Sequence, residues 1–295
     1  MFCSTIIPTV NRPTLRTAVE SVLAQGVEGG DVEVIVVNDS GGALPAVPWR
    51  DAAEVRVIDT NRRERSVARN CGAAAARGAF LHFLDDDDVM LPGALTAFRQ
   101  LAAENPQAVW LCGGYQTVDS RGTLVNEFHP DLNGNIFAAL IAGESLPLQA
   151  SLVRAAEFCR AGTFDPALVG TEDRDLGRRL ALLGAVVCMA DTVARIRIGE
   201  EGSTTDWRIL ADGDRRGREK ALGTAGAYAR LASSADSAYW RGRVARAYLA
   251  SAVWNLGHRH PGIAVRRAAA SLGMTGHHVI RAAFWRGLGT RSGQG

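Results

Sequence analysis

The sequence predicts an α/β fold: a Rossmann-like, mostly parallel sheet with flanking helices, followed by a C-terminal α-helical region. Three observations carry this reading. Short apolar runs at Cys3–Ile7, Val32–Val37 and Phe80–Leu84 suit strands buried on both faces. Segments with apolar residues at helical spacing lie between them, and alternation of strand and helix is the pattern of a parallel sheet. From about Thr205 onward the pattern is helical and rich in alanine and arginine.

In chain order, Cys3–Ile7 is a strand stopped by Pro8, and Thr9–Pro13 is a loop. Pro13 or Thr14 opens a helix to about Gln25, with Leu15, Val19, Val22 and Leu23 as its apolar stripe. Val32–Val37 is a second strand, ending in Asn38-Asp39-Ser40, and Val55–Ile58 is a third. A helix spans about Ser66–Arg77 and stops at Gly78. The strand Phe80–Leu84 follows, then a helix over Leu95–Leu101 and a strand over Ala108–Cys112. Residues 113–135 are polar, with hairpin character. Pro147–Val153 is another strand, and Leu176, Leu180 and Leu183 mark a helix from Asp175 to Gly184. Candidate helices in the tail are Asp214–Leu231, Ala238–Leu256, Ile263–Leu272 and His277–Leu288.

A chain of 295 residues, 47% apolar and 22% charged, has ample core for one large or two modest globular domains. Its net charge of +2 hides an asymmetry. No Asp or Glu follows Asp236, whereas nine arginines do (241, 243, 246, 259, 266, 267, 281, 286 and 291), so the part before is acidic. Five scattered cysteines without a CxxC pair suggest reduced, buried thiols and a cytoplasmic setting. The N-terminus lacks the basic start of a signal peptide, and no run of 18 apolar residues predicts a spanning helix. No nucleic-acid-binding motif accompanies the basic tail. That tail is read as a packed helical appendage or as a surface lying on anionic lipid, and His258, His260, His277 and His278 as exposed helix-end residues.

Four consecutive carboxylates, Asp85–Asp88, follow the strand Phe80–Leu84. Burying unpaired carboxylates costs many kcal/mol, so they mark the strand's carboxyl end, where open α/β sheets form ligand crevices. Such oxygen donors suit Mg²⁺ or Mn²⁺. An acidic turn leading to a helix with Pro92 in its first turn is the competing reading, whereas the missing glycine and Thr96 in place of the twelfth-position glutamate argue against an EF-hand. No GxGxxG or GxxxxGK[ST] follows any strand, so a diphosphate would rest on a metal and arginines.

Five segments in order, Ser4-Thr-Ile-Ile-Pro-Thr-Val-Asn-Arg-Pro, Val34-Ile-Val-Val-Asn-Asp-Ser, Ser66-Val-Ala-Arg-Asn-Cys-Gly, Ala76-Arg-Gly-Ala-Phe and Phe83-Leu-Asp-Asp-Asp-Asp, resemble the nucleotide-binding half of a family 2 glycosyltransferase with the inverting GT-A fold. The resemblance covers about residues 2–205. It implies a GT-A catalytic domain over 1–205, divided into a nucleotide-sugar half (1–112) and an acceptor half (113–205), with a basic helical region over 206–295. It also implies a nucleotide-diphosphate sugar donor, UDP- or dTDP-linked, with Mg²⁺ or Mn²⁺ on the diphosphate. Pro8, Thr9, Asn11, Asn38, Asp39, Arg65, Arg69, Asp85, Asp86 and Arg197 would bind the donor. Asp87 would ligate the metal directly, assisted by Asp85, with Asp88 beside them.

Glu172-Asp173 heads a helix, where acids are also favoured by the dipole by roughly 0.3–1 kcal/mol. The resemblance makes Asp173 the base that takes the acceptor hydroxyl's proton, and Glu172 and Gln149 acceptor contacts. The acceptor would be a glycan, a lipid-linked glycan or a small molecule. A sugar-nucleotide nucleotidyltransferase and a non-catalytic sugar-nucleotide binder are the rival readings; the first would leave Glu172-Asp173 unexplained.

Overall fold

The structure is a computed structural model and describes residues 1–26, 31–199 and 207–289. Contacts divide the chain into two compact units, Met1–Gly134 with Leu146–Ala221, and Asn135–Ser145 with Leu222–Gly295.

The first unit is built on β1 (Cys3–Thr9), β2 (Val32–Asn38), β3 (Val55–Asp59), β4 (Phe80–Phe83), β5 (Val89–Met90), β6 (Trp110–Val118), β7 (Leu124–Phe128), β8 (Ser151–Arg154) and β9 (Val186–Arg197). They form one sheet in the order β3-β2-β1-β4-β8-β6-β9-β5, with β7 beside β6. Its helices are α1 (Leu15–Leu23), α2 (Arg65–Ala75), α3 (Ala94–Glu104), α5 (Ala155–Arg160), α6 (Glu172–Leu183) and α7 (Trp207–Leu222), while α4 (Phe137–Ala142) belongs to the second unit. Strands β1 to β4 are mutually parallel, as expected. Beyond β4 the sheet is mixed, because β8 runs antiparallel to both β4 and β6 while β6 and β9 are parallel.

Every residue of β1 and β2 is buried, which accounts for their mostly apolar runs; Glu33, the buried acid in β2, is ion-paired with Arg77 at 2.9 Å and accepts from the Ser4 hydroxyl at 2.7 Å. Pro8 does not stop β1, which continues to Thr9. The Thr9 carbonyl accepts from Asp39 on the β2 side, so the position before it faces β4, and β4 pairing has already ended at Ile6. A missing N–H is harmless there. Gly72 sets the depth of α2 on the sheet: a Cβ would meet Ile6 Cγ2 at 2.4 Å.

Gly113 and Gly114, which read as a break after Cys112, are instead where β6 shifts register against β9. A Cβ on Gly113 would strike Val193, so glycine permits the two strands to approach. The expected hairpin is β6–β7, closed at Asp119–Gly122. The helix expected from Asp175 begins earlier, at Glu172, and the segment 200–206, which includes the Glu-Glu-Gly-Ser-Thr-Thr stretch, lies outside the described residues.

In the second unit, α8 (Ala227–Ala232) and α9 (Ser237–Gly257) pack on α4, and α10 (Pro261–Thr275) and α11 (Ala282–Gly289) pack on α9. All six residues of α4 are buried, and a helix apolar on every side demands that. The expected helix Asp214–Leu231 is two, parted by Gly226 at φ +81°, and residues Gly276–Ile280 form a 3-10 turn ahead of α11. His278 is buried, contrary to the expectation that all four tail histidines are exposed. Of the five cysteines only Cys3 and Cys112 are buried; Cys159 is exposed. Among the described residues no helix is long and apolar enough to cross a membrane.

His82 on β4 ties the sheet to the segment bearing Gln149. Its Nε2 lies 2.9 Å from the Gln149 carbonyl, which can only accept, so Nε2 donates and Nδ1 accepts from the Thr5 hydroxyl at 3.2 Å. Burial holds its pKa down to about 4 from 6.5. The unfolded chain therefore takes up a proton that the folded chain refuses between these values, and stability falls as pH drops across the window, by roughly 3 kcal/mol. Asp87, Asp88 and Glu172, with raised pKa values, act in the opposite sense, so the comparison must be with a variant. Urea unfolding of His82→Gln should show a shallower loss of stability from pH 6.5 to about 4. Parallel profiles for the two proteins would contradict the assignment.

Candidate active site

At the carboxyl ends of β1, β2 and β4 the loops converge on a cavity of about 460 Å³. Its lining includes Pro8, Thr9, Val10 and Arg12 from the first loop, Asp39 from the second, Arg63, Arg65 and Ala68 from α2 and its approach, all of Asp85–Asp88, Gln149, and Ile196 and Arg197 from β9.

The first loop turns at Asn11, which adopts φ +69° and donates its backbone N–H to Thr9 Oγ1 at 2.9 Å. The Thr9 hydroxyl in turn donates to Asp86 at 2.5 Å. Arg12 Nη1 bridges Asp86 (2.9 Å) and Asp87 (3.0 Å). The sequence reading passed over Arg12, although it lies one residue from Asn11 in a loop facing four acids; that juxtaposition was the available signal. Arg63 and Ile196 were also missed as site features.

The second loop is organised around two side chains. Asn38 Nδ2 donates to the Gly42 carbonyl and to Asp59, both at 2.7 Å, and its Oδ1 accepts from Ser40. It ties the loop together and does not line the cavity. Asp39 accepts from the backbone N–H groups of Arg62 (2.7 Å) and Glu64 (2.8 Å) and from the Thr60 hydroxyl (2.9 Å). Burial works to raise the Asp39 carboxyl, but these donors prevail and hold it below the usual range.

Glu64 caps α2, accepting from the N–H groups of Ser66 and Val67. The capped helix projects Arg65 and Arg69 from one face, four residues apart. Arg69 is buried and forks between Asp85 (2.6 Å) and Glu172 (3.1 Å). Gln149 donates to the other oxygen of Asp85 at 3.0 Å. A continuous path thus runs from Gln149 through Asp85 and Arg69 to Glu172 at the start of α6. Asp173 is beside it, half-exposed, accepting from the Arg174 N–H at 2.7 Å, with its charge felt at Arg69. Neither Glu172 nor Asp173 is on the cavity lining; Arg69 connects them to it.

The carboxylates divide by environment. Burial raises Asp85, yet Arg69 and Arg65 outweigh it and its pKa falls below the usual value. Asp87 is pushed up by burial and by Asp85 and Asp86, although Arg12 opposes this. Asp88, buried and facing Asp85, is raised well above the usual value even with the Arg197 N–H donating to it at 2.7 Å. Glu172 is raised by burial, which Arg69 offsets only in part, and its Oε2 is buried with no hydrogen-bond partner. Arg197 directs its guanidinium to the Ser120 carbonyl at 2.8 Å.

An excess of buried negative charge at Asp87 and Asp88 is the setting a hard divalent cation fits. Among the described residues no three Asp, Glu, His or Cys side chains converge into a ready cage.

The parallel half-sheet, the acidic crevice at its carboxyl ends and the mixed outer strands define an α/β protein of the GT-A class. Residues 4–138 match the family model "Glycosyl transferase family 2". Similar chains include the glycosyltransferase EpsJ of Bacillus subtilis, 33% identical over 138 residues, covering 45% of this chain and 38% of that one. The Campylobacter jejuni GalNAc(5)-diNAcBac-PP-undecaprenol β-1,3-glucosyltransferase is 31% identical over 132 residues, covering 42% and 41%. The chain thus spans less than half the length of these curated relatives. Among solved structures, Staphylococcus aureus TarS residues 1–349 in complex with UDP-GlcNAc has the same fold, with a TM-score of 0.63 over 84% of this chain and 72% of that one at 16% identity.

Proposed function

We propose that the chain is a metal-dependent, inverting glycosyltransferase that moves a sugar from a UDP- or dTDP-linked donor to a hydroxyl of a glycan, a lipid-linked glycan or a small molecule. The observation that carries this is the buried path Gln149–Asp85–Arg69–Glu172, which joins the acid-lined cavity to the helix bearing Asp173. The match of residues 4–138 to the family 2 glycosyl transferase model and the nucleotide-sugar complex of a protein with the same fold support the donor class.

In this reading Thr9, Asn11, Asn38 and Asp39 shape the nucleotide end of the cavity, with Pro8 and Val10 as its apolar wall. Arg65, Arg69 and Arg197 set positive charge around the diphosphate. Mg²⁺ or Mn²⁺ held by Asp87, with Asp85, would neutralise charge on the departing nucleoside diphosphate. Asp173 accepts the proton of the attacking hydroxyl as the new bond to the anomeric carbon forms and the bond to the diphosphate oxygen breaks. One displacement inverts the configuration. Glu172, next to Asp173 at the start of α6, is assigned to the acceptor sugar.

Titration calorimetry with UDP-sugars, with and without Mn²⁺, tests the donor half of the proposal. Asp87→Ala should reduce metal-supported donor binding by more than about tenfold, the loss of one charge-assisted ligand contact. Donor affinity indifferent both to Mn²⁺ and to this substitution would remove the metal from the account.

A further inference from the structure

The C-terminal unit presents apolar side chains that the fold itself leaves open. Helix α9 is apolar on two faces. One is internal, through Val244, Ala245, Tyr248 and Ala252. The second begins at Gly242, where a Cβ would meet the Phe284 carbonyl of α11 at 2.1 Å. α11 ends near Arg246, whose guanidinium donates to the Gly289 carbonyl at 2.7 Å. Leu249 and Leu256 follow Gly242 at steps of seven, on the same stripe beyond the end of α11. They are 48% and 65% exposed, and Val253 between them is 66% exposed. Trp285 on α11 is 56% exposed, and Ile280 just before it 84%. Scattered single residues of this kind are ordinary; a continued helical stripe is not.

The charge pattern says what meets this surface. Residues 237–289 contain eight arginines and no Asp or Glu. Arg259, Arg266, Arg281 and Arg286 are exposed. A protein-binding face would carry acids among its arginines to fix register, whereas a surface with arginine alone matches an array of negative headgroups. The Trp285 indole N–H already donates to the Val279 carbonyl at 2.7 Å, so its ring can enter an apolar boundary without stranding a donor. Arginine stems lie along such a boundary with their guanidinium groups in the headgroup layer.

We propose that the C-terminal unit docks on an anionic lipid bilayer, with Leu249, Val253, Leu256 and Trp285 entering the headgroup–acyl boundary and the exposed arginines against acidic headgroups. The inference does not depend on the catalytic reading.

Vesicle co-sedimentation of the full chain tests it. Vesicles of phosphatidylcholine with about a third phosphatidylglycerol should retain the chain at least about tenfold more tightly than phosphatidylcholine alone, and added salt should weaken retention. Leu256→Glu with Trp285→Glu, both at exposed positions, should cut retention by at least about tenfold while the melting temperature stays unchanged. Arg266→Glu with Arg281→Glu should do the same without touching an apolar residue. Retention on neither vesicle, equal retention on the uncharged one, or variants that bind like the parent would each overturn the proposal. So would a dimer in light scattering that Leu256→Glu splits while vesicles retain nothing, since a second copy would then cover the stripe.

Discussion

Asp173→Asn is expected to bind donor as the parent chain does and to transfer sugar about 10²- to 10⁴-fold more slowly, the usual contribution of a positioned general base. The substitution suits the site. Asp173 is half-exposed in the first turn of α6, and an asparagine Oδ1 can still accept from the Arg174 N–H, now 2.7 Å away. The fold should therefore persist while the proton acceptor is lost. Single-turnover transfer and donor affinity, measured side by side, separate the two roles. Glu172→Gln is the necessary comparison, because Glu172 is buried and its carboxyl is already raised by burial. If Asp173→Asn transferred at the normal rate while Glu172→Gln did not, the base would be Glu172.

Arg69→Met should be the most damaging single change to stability, by about 3–5 kcal/mol. Arg69 is 3% exposed and bridges Asp85 and Glu172. Removing it leaves two carboxylates in a low-dielectric setting without their shared cation, and that penalty exceeds whatever the intact bridge contributes. Urea unfolding would show the loss. Adding Glu172→Gln should restore part of it, since the neutral amide no longer needs a cation. Strictly additive effects of the two changes would mean that the pair is not energetically coupled. Because Asp85 also receives Gln149 and faces Asp87, the same variant should weaken donor binding even where it remains folded.

Some of this was legible along the chain because it depends on neighbours in sequence. A strand buried on both faces is mostly apolar, so β1, β2 and β4 declared themselves; the partners of their buried polar residues, such as Thr5 for His82 and Arg77 for Glu33, come from other elements. Four carboxylates after β4 had to sit at its carboxyl end, because they could not be buried unpaired. Periodicity located α1, α3 and α6 to within a few residues, since each buries one apolar face. The fully buried α4 has no polar face and so offered no periodic signal. β9 was not anticipated, because its burial follows no simple alternation and its pairing with β6 shifts register at Gly114.

The sequence by itself determined the alternating α/β core, the acidic loop at its edge and the uneven distribution of charge toward the C-terminus. The tertiary structure alone decided which cation met which acid. Arg12 reaches across 74 residues to Asp86, and Arg69 joins Asp85 to Glu172 across 103. Contacts over such separations leave no local period or propensity, because chain closure brings them together only after both elements are placed. For the same reason, only the packing of α11 on α9 revealed where the apolar stripe stops being covered.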